Sequence, residues 1–323
     1  MTFAHRSLGA LAITLALSGS AFAQAWPNKP IRTVVPYTPG GYTDLMARTV
    51  GQKLSEALGQ PIVFENKPGA NAIIGTDVVA KAPPDGYTIG TVIAAHAVNA
   101  TLNPKLPYDT LKDFSYVSLM SVAPLIMIAH PSLPANNMKE LIALAKAKPG
   151  ELNFASSGVG AAAHLTMEMF KSRTGINMQH VPYKGTAGAL QDTVGGRINV
   201  MFDVVGPLMP QVRAGNVKAL AVTAKERIPA AADVATMAEQ GVPDFISGTW
   251  AGIIAPAGTP KEIVDRIAAE TRKALADPAM KDKLAEQGIV AVGNTPDEFR
   301  AFVAEEVARW GTVIKDAGIK AEP

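Results

Sequence analysis

The chain has 323 residues, no cysteine, and 30 lysines and arginines against 28 acidic residues, a formal net charge of +2. Without cysteine there is neither a disulfide framework nor a lipid-anchoring thiol. Without a basic run there is no electrostatic footprint for nucleic acid or an anionic membrane, and neither is an expected partner.

Residues 1–23 read as a secretory leader. His5 and Arg6 give a basic start, 8–17 is a short apolar stretch, and Ala21-Phe22-Ala23 is a small-x-small cleavage site. The stretch is too short to span a membrane, and no later one is apolar enough, so the chain is expected to be exported, cleaved near Ala23 and not membrane-inserted. The roughly 300 residues that follow suffice for two lobes of ordinary size.

Short β-branched runs then alternate with amphipathic stretches. Strands are expected at 31–35, 61–65, 88–93, 125–129, 152–155, 178–181, 200–203, 217–222, 250–255 and 289–292. Helices are expected at 44–58, where Leu45, Met46, Val50, Leu54 and Leu58 recur at helical spacing, and at 138–147, 165–172, 260–275 and 296–315. Thr259 before Pro260 and Thr295 before Pro296 each read as an N-cap followed by proline in the first helical position. This alternation predicts an α/β architecture with parallel-rich sheets covered by helices. Two extended runs, 121–128 and 248–256, read as strands crossing between lobes. Residues 24–124 with 253–323 then form one discontinuous lobe and 125–252 the other, a hinge arrangement suited to closing on a ligand.

Ligands of such folds sit outside the carboxyl ends of strands, so the strand-to-helix loops carry the functional signal. The first, Val35-Pro36-Tyr37-Thr38-Pro39-Gly40-Gly41-Tyr42-Thr43-Asp44, runs from an apolar strand into an amphipathic helix. Glycines let its backbone approach a ligand closely. The helix start offers unpaired N–H groups and a partial positive charge, a seat for an anion such as a carboxylate. Asp44 is expected to cap that helix, and Arg48 to pair with it at i,i+4 rather than meet a ligand. A second loop, 155–164, brings Ser156, Ser157, Gly158, Gly160 and His164. A third, 181–188, brings Lys184, Gly185, Thr186 and Ala187, and a fourth turn follows Asp203. Singly, each is an ordinary glycine-containing turn; together they form a set of helix starts at strand ends.

Evidence for chemistry is weaker. Gly158-Val159-Gly160-Ala161-Ala162-Ala163 fits a dinucleotide fingerprint, but the next strand ends in Val181-Pro182-Tyr183 without the acid a nicotinamide ribose needs. Ser156 and Ser157 lack the G-x-S-x-G frame of a hydrolase elbow. His96, His130, His164 and His180 show no metal-ligand spacing. Tyr37, Tyr42 and Trp250 can stack on a flat ligand or simply pack. The reading is therefore binding without catalysis, cofactor or metal. An exported hydrolase using Ser156 or Ser157, and a ligand sensor for a signalling system, are the alternatives.

The ordered motifs carry a resemblance over essentially the whole mature chain. Trp26-Pro27-Asn28-Lys29-Pro30, Pro36 to Asp44, Glu65-Asn66-Lys67-Pro68-Gly69-Ala70, Pro84-Asp85-Gly86-Tyr87-Thr88, Ser156 to Gly160 with His164, and Val181-Pro182-Tyr183-Lys184-Gly185 resemble the periplasmic solute-binding proteins of tripartite tricarboxylate transporters, the Bug proteins. The resemblance implies a two-lobe Venus flytrap in the periplasm that captures a small organic carboxylate and delivers it to an inner-membrane permease. It implies that Tyr37, Thr38, Gly40, Gly41, Tyr42, Thr43 and Asp44 hold one carboxylate. Ser156, Ser157, Gly158, Gly160, His164, Lys184, Gly185, Thr186 and Ala187 would complete the site, with Asp203 reading a second polar end. Family members usually carry Phe-Ala at Tyr37-Thr38 and a small residue at Tyr42. These departures leave an aromatic carboxylate open beside a di- or tricarboxylate.

Overall fold

The alternation of strands and helices folds into two mixed sheets that share one long strand. The structure, a computed structural model, describes residues 26–183, 185–316 and 318–320. The expected leader and Lys184 lie outside the described residues. In chain order the elements are β1 (Ile31–Val35), α1 (Tyr42–Leu58), β2 (Ile62–Asn66), α2 (Ile73–Ala80), β3 (Thr88–Ile93), α3 (Ala95–Leu102), β4 (Phe114–Ala129), α4 (Met138–Ala147), β5 (Asn153–Ser156) and α5 (Ala162–Thr174). There follow β6 (Gln179–Pro182), α6 (Thr186–Val194), β7 (Val200–Val204), α7 (Val205–Arg213), β8 (Lys218–Val222), β9 (Gly248–Pro256), α8 (Lys261–Ala276), α9 (Pro278–Ala285), β10 (Val290–Ala291) and α10 (Pro296–Asp316).

The strand order is β2-β1-β3-β9-β4-β7-β5-β6, with β8 and β10 also on β4. Pairing is parallel at β2–β1–β3 and at β7–β5–β6, where helices make the crossovers. It is antiparallel wherever β4 or β9 takes part. β4 pairs with β9 from Phe114 to Pro124, then with β7 and β8 from Leu125 onward. Pro124 lies at that change of partner. A residue without an N–H is tolerated there because the ladder is already interrupted.

The return crossing is equally tight. Gly248 opposes Pro124, and a Cβ on it would stand 2.6 Å from Ala123 O, so a side chain is excluded where the two strands cross. Thr223, fully buried, clasps both crossings: Leu125 N–H donates to its Oγ1 at 2.8 Å, and its hydroxyl donates to Ser247 O at 2.6 Å.

Helix packing follows the periodicity. In α1, Met46, Val50, Leu54 and Leu58 are buried, each stabilising by about 1.5–3 kcal/mol, and Gly59 stops the helix in the left-handed conformation. Thr295 forms a reciprocal capping box with Glu298 at the start of α10. Thr259 does not cap α8: Pro260 is the N-cap, and the Thr259 hydroxyl turns back to Pro256 O. Trp250 is a packing residue, buried against Phe299 and Phe302. Its Nε1 and that of Trp310 both donate to Glu306 Oε2 at 2.9 Å.

Candidate functional site

The loop after β1 delivers Tyr37, Thr38, Gly40 and Gly41 to the start of α1. Gly41 is the N-cap, extended and without a side-chain cap. The first intrahelical bond runs from Leu45 N–H to Gly41 O, which leaves the amides of Tyr42, Thr43 and Asp44 without an intrahelical acceptor. Asp44 is not the cap its position suggests. It stands in the first turn, buried, where Oδ2 accepts the Gly40 N–H at 3.0 Å and both oxygens accept Arg48 Nε at 3.0 and 2.9 Å. Asn66 Nδ2 donates to Asp44 Oδ1 at 3.0 Å and to Tyr37 O at 2.9 Å, pinning both ends of the loop. Burial pushes the Asp44 pKa up, but hydrogen bonds from Arg48, Asn66 and Gly40 outweigh it and hold the carboxyl below its usual range. The chain's own carboxylate is thus ionised and fully engaged, and the turn keeps its open amides.

Tyr37 and Tyr42 are half-buried walls rather than an exposed platform. Tyr42 OH lies 2.9 Å from Ser121 Oγ on β4, and its ring packs on the core. Tyr37 OH donates to Asn71 Oδ1 at 3.4 Å. Burial raises both phenol pKa values, so both hydroxyls stay protonated. Thr38 is exposed and Thr43 buried.

Two more helices start without side-chain caps: α5 begins after Ala161 and α6 after Gly185. Their parent strands β5 and β6 are paired, and Tyr183 N–H donates to Ser156 O at 3.0 Å, so the two loops start side by side. Ser156 is fully buried. Its hydroxyl meets His180 Nε2 at 2.7 Å and Gly158 O at 3.0 Å, and its Oγ accepts the Gly158 N–H. The serine fastens its own loop, and its contact with histidine is no exposed nucleophile. His164 does the same one turn on: Gly160 N–H donates to its Nδ1 at 3.1 Å. The His164 and His180 rings stack with centroids 3.9 Å apart, and Phe154 continues the stack. Burial lowers the His164 pKa to about 3, helped by His180 and Lys171, and lowers His180 to about 4. Both rings are neutral, as an Nδ1 acceptor must be.

Ser157 and Gly158 are half-buried, Ala187 is exposed, and Thr186 opens α6. The Thr186 hydroxyl donates to Asp203 Oδ2 at 2.7 Å, and Val204 N–H donates to Oδ1 at 2.8 Å. Burial raises the Asp203 pKa against those two bonds, and no cation pairs with it among the described residues. Among the described residues no group of three or more His, Cys, Asp or Glu is placed to hold a metal ion.

Gly160 packs against α3 and the turn before α2. A Cβ there would stand 2.5 Å from Leu102 Cδ2, 3.0 Å from Asn71 Nδ2 and 3.4 Å from Val98 Cγ1. Its φ of +77° also favours glycine. Sequence reasoning missed Asn66, Asn71, Asn99, Ser121 and His180, because each acts through a partner far away in the chain. The signal available for two of them was the motif running from Glu65 to Ala70, which ends next to Asn71.

The comparisons agree with one another. The model of the tripartite tricarboxylate transporter family receptor matches residues 46–319. Protein BugT of Bordetella pertussis is 38% identical over 320 residues, covering 98% of both chains. The structure of R. palustris Rpa4515 with adipate is 36% identical with a TM-score of 0.87, covering 91% of this chain and 99% of that one. MatC (Rpa3494) from Rhodopseudomonas palustris with bound malate is 33% identical with a TM-score of 0.82, covering 89% and 99%. These proteins are solute receptors, not enzymes. The chain belongs to the tripartite tricarboxylate transporter receptor family, among the Bug proteins.

Proposed function

We propose that the protein is an exported periplasmic receptor that closes its two lobes on a small organic carboxylate and delivers it to an inner-membrane permease. The observation that carries this reading is a set of three helices, α1, α5 and α6, that each follow a strand end and start at Gly41, Ala161 and Gly185 with no side-chain cap. Bare helix N-termini stabilise an anion through oriented N–H groups and the helix dipole, without a buried arginine. Adipate on Rpa4515 and malate on MatC support the ligand class. In the proposal one carboxylate takes the first-turn amides of α1, beside Tyr37, Thr38, Gly40 and Gly41. The loops of Ser156 to His164 and Lys184 to Ala187 close over it, and Asp203 faces its second polar end. Residues 125 onward form the second lobe; the pairing of β9 with β4 from Gly248 supports a return crossing there, a few residues before 253.

Thermal shift of the mature protein against di- and tricarboxylates, aromatic carboxylates and sugars tests this. Ligand at 100 times its dissociation constant stabilises by about 2.7 kcal/mol. The expected result is a clear upward shift with one carboxylate class and none with sugars. A flat response to every carboxylate overturns the assignment.

A further inference from the structure

Asn71 lies between β2 and α2, outside every loop assigned above to the ligand. Ala70, Asn71 and Ala72 have φ of +47°, +49° and +74°, a left-handed turn that two alanines disfavour. Such a turn persists where its surroundings over-determine it, and here Asn71 supplies them. Its Oδ1 accepts Tyr37 OH at 3.4 Å, its Nδ2 donates to Asn99 Oδ1 at 3.3 Å, and its backbone oxygen accepts Asn99 Nδ2 at 2.8 Å. Asn99 is fully buried, and Asn103 Nδ2 shares its Oδ1 at 3.1 Å. The same Asn71 Nδ2 borders the opposite lobe, 3.0 Å from where a Cβ on Gly160 would stand. One amide therefore touches the tyrosine of the anion loop, the buried asparagine of α3 and the glycine loop arriving from the second lobe.

We propose that Asn71 is a positioning residue that couples the landing of the Gly160 loop to the placement of Tyr37 beside the α1 amides. It rests on the carboxylate-receptor reading for the ligand, but the coupling itself is a property of the empty protein. With the lobes apart, the Asn71 amide loses its neighbour at Gly160. With the lobes together, as here, Gly160 packs beside the Asn71 amide that accepts Tyr37 OH, and Tyr37 is fixed in turn. The seat on α1 is then complete only in the closed form, so a bound anion leaves slowly from it.

Asn71→Gly tests this, because glycine keeps the left-handed backbone without strain and removes the amide. The chain has no cysteine, so cysteines introduced at exposed Gln52 on α1 and Lys225 after β8 carry two spin labels whose separation reports closure. The distances are measured without ligand, then with adipate and with malate. The expected ligand-free result is a longer, broader distribution in Asn71→Gly than in the parent. Gly160→Ala, which drives a methyl against Leu102 and Asn71, should give the same change. For a carboxylate that binds the parent, Asn71→Gly should speed dissociation about tenfold with association within about twofold, as expected when contacts made after docking are lost. A purely structural asparagine would lower the melting temperature and leave the distances alone. Identical ligand-free distances in parent and Asn71→Gly overturn the proposal. Failure of both carboxylates to move the parent tells against that ligand class and leaves the ligand-free comparison to decide Asn71.

Discussion

His164 and His180 show how much of the second loop's shape depends on protonation. Gly160 N–H donates to His164 Nδ1, so the loop needs that ring neutral, and the Ser156 hydroxyl meets His180 Nε2. Beside the stack, Glu168 Oε1 lies 2.7 Å from Lys171 Nζ and 3.9 Å from His164 Nε2. In the unfolded chain both histidines titrate near 6.5; in the fold they resist protonation down to about 3 and about 4. Below pH 6.5 the unfolded state therefore binds more protons, and stability falls as pH drops toward those values. For buried His164 the slope approaches about 1.4 kcal/mol per pH unit, and for the more open His180 it is smaller. Denaturant midpoints from pH 7.5 to 4.5 should decline more steeply in the wild type than in His164→Gln/His180→Gln. Parallel curves would show that the rings do not carry this linkage. At this scale the sequence was legible where partners are neighbours, as with Arg48 and Asp44 at i,i+4. Ser156 and His180, on adjacent strands but 24 positions apart, left no local trace.

Among the elements, β4 does the most to join the two lobes. Its hydrophobic run is readable, and 125–129 was expected as a strand. Its start at Phe114 was not, because Ser115, Ser118 and Ser121 interrupt the apolar pattern while their backbone pairs with β9. Helices α2 and α3 escaped notice for the opposite reason: small and apolar residues leave no amphipathic stripe, and packing of α3 against α10 and of α2 against the sheet makes them helical. Those two helices carry Asn99 and follow Asn71, so the first lobe's polar network was hidden along with them. Thr223 joins β4 at Leu125 to the approach of β9 at Ser247. Thr223→Val keeps the shape but strands the buried Leu125 N–H and Ser247 C=O, at a cost of about 1–3 kcal/mol. A melting temperature lowered by several degrees is expected, and no change would mean that the two crossings hold without the clasp.

For the whole molecule, the α/β alternation and the two crossing runs were enough to expect two lobes with loops facing each other. What the composition could not convey is the division of labour between them. The first lobe offers amides at α1 with their local carboxylate already neutralised by Arg48 and Asn66. The second offers loops made rigid by buried, neutral histidines, with a glycine as the point of contact. In the proposed receptor the anion is held at the α1 start by oriented backbone amides and the helix dipole. In the proposed receptor, side chains around the seat set ligand identity, and Tyr37 and Tyr42 are the half-buried rings nearest it in the chain.

In the proposed receptor a carboxylate sits on the first turn of α1. The most direct measurement is an amide NMR titration of the perdeuterated mature protein with the carboxylate that most raises its melting temperature. Saturable downfield shifts at Gly41, Tyr42, Thr43 and Asp44, with the same midpoint as the thermal response, are the predicted result. A carboxylate that stabilises the protein while those four amides stay unmoved would place the anion elsewhere and contradict the account.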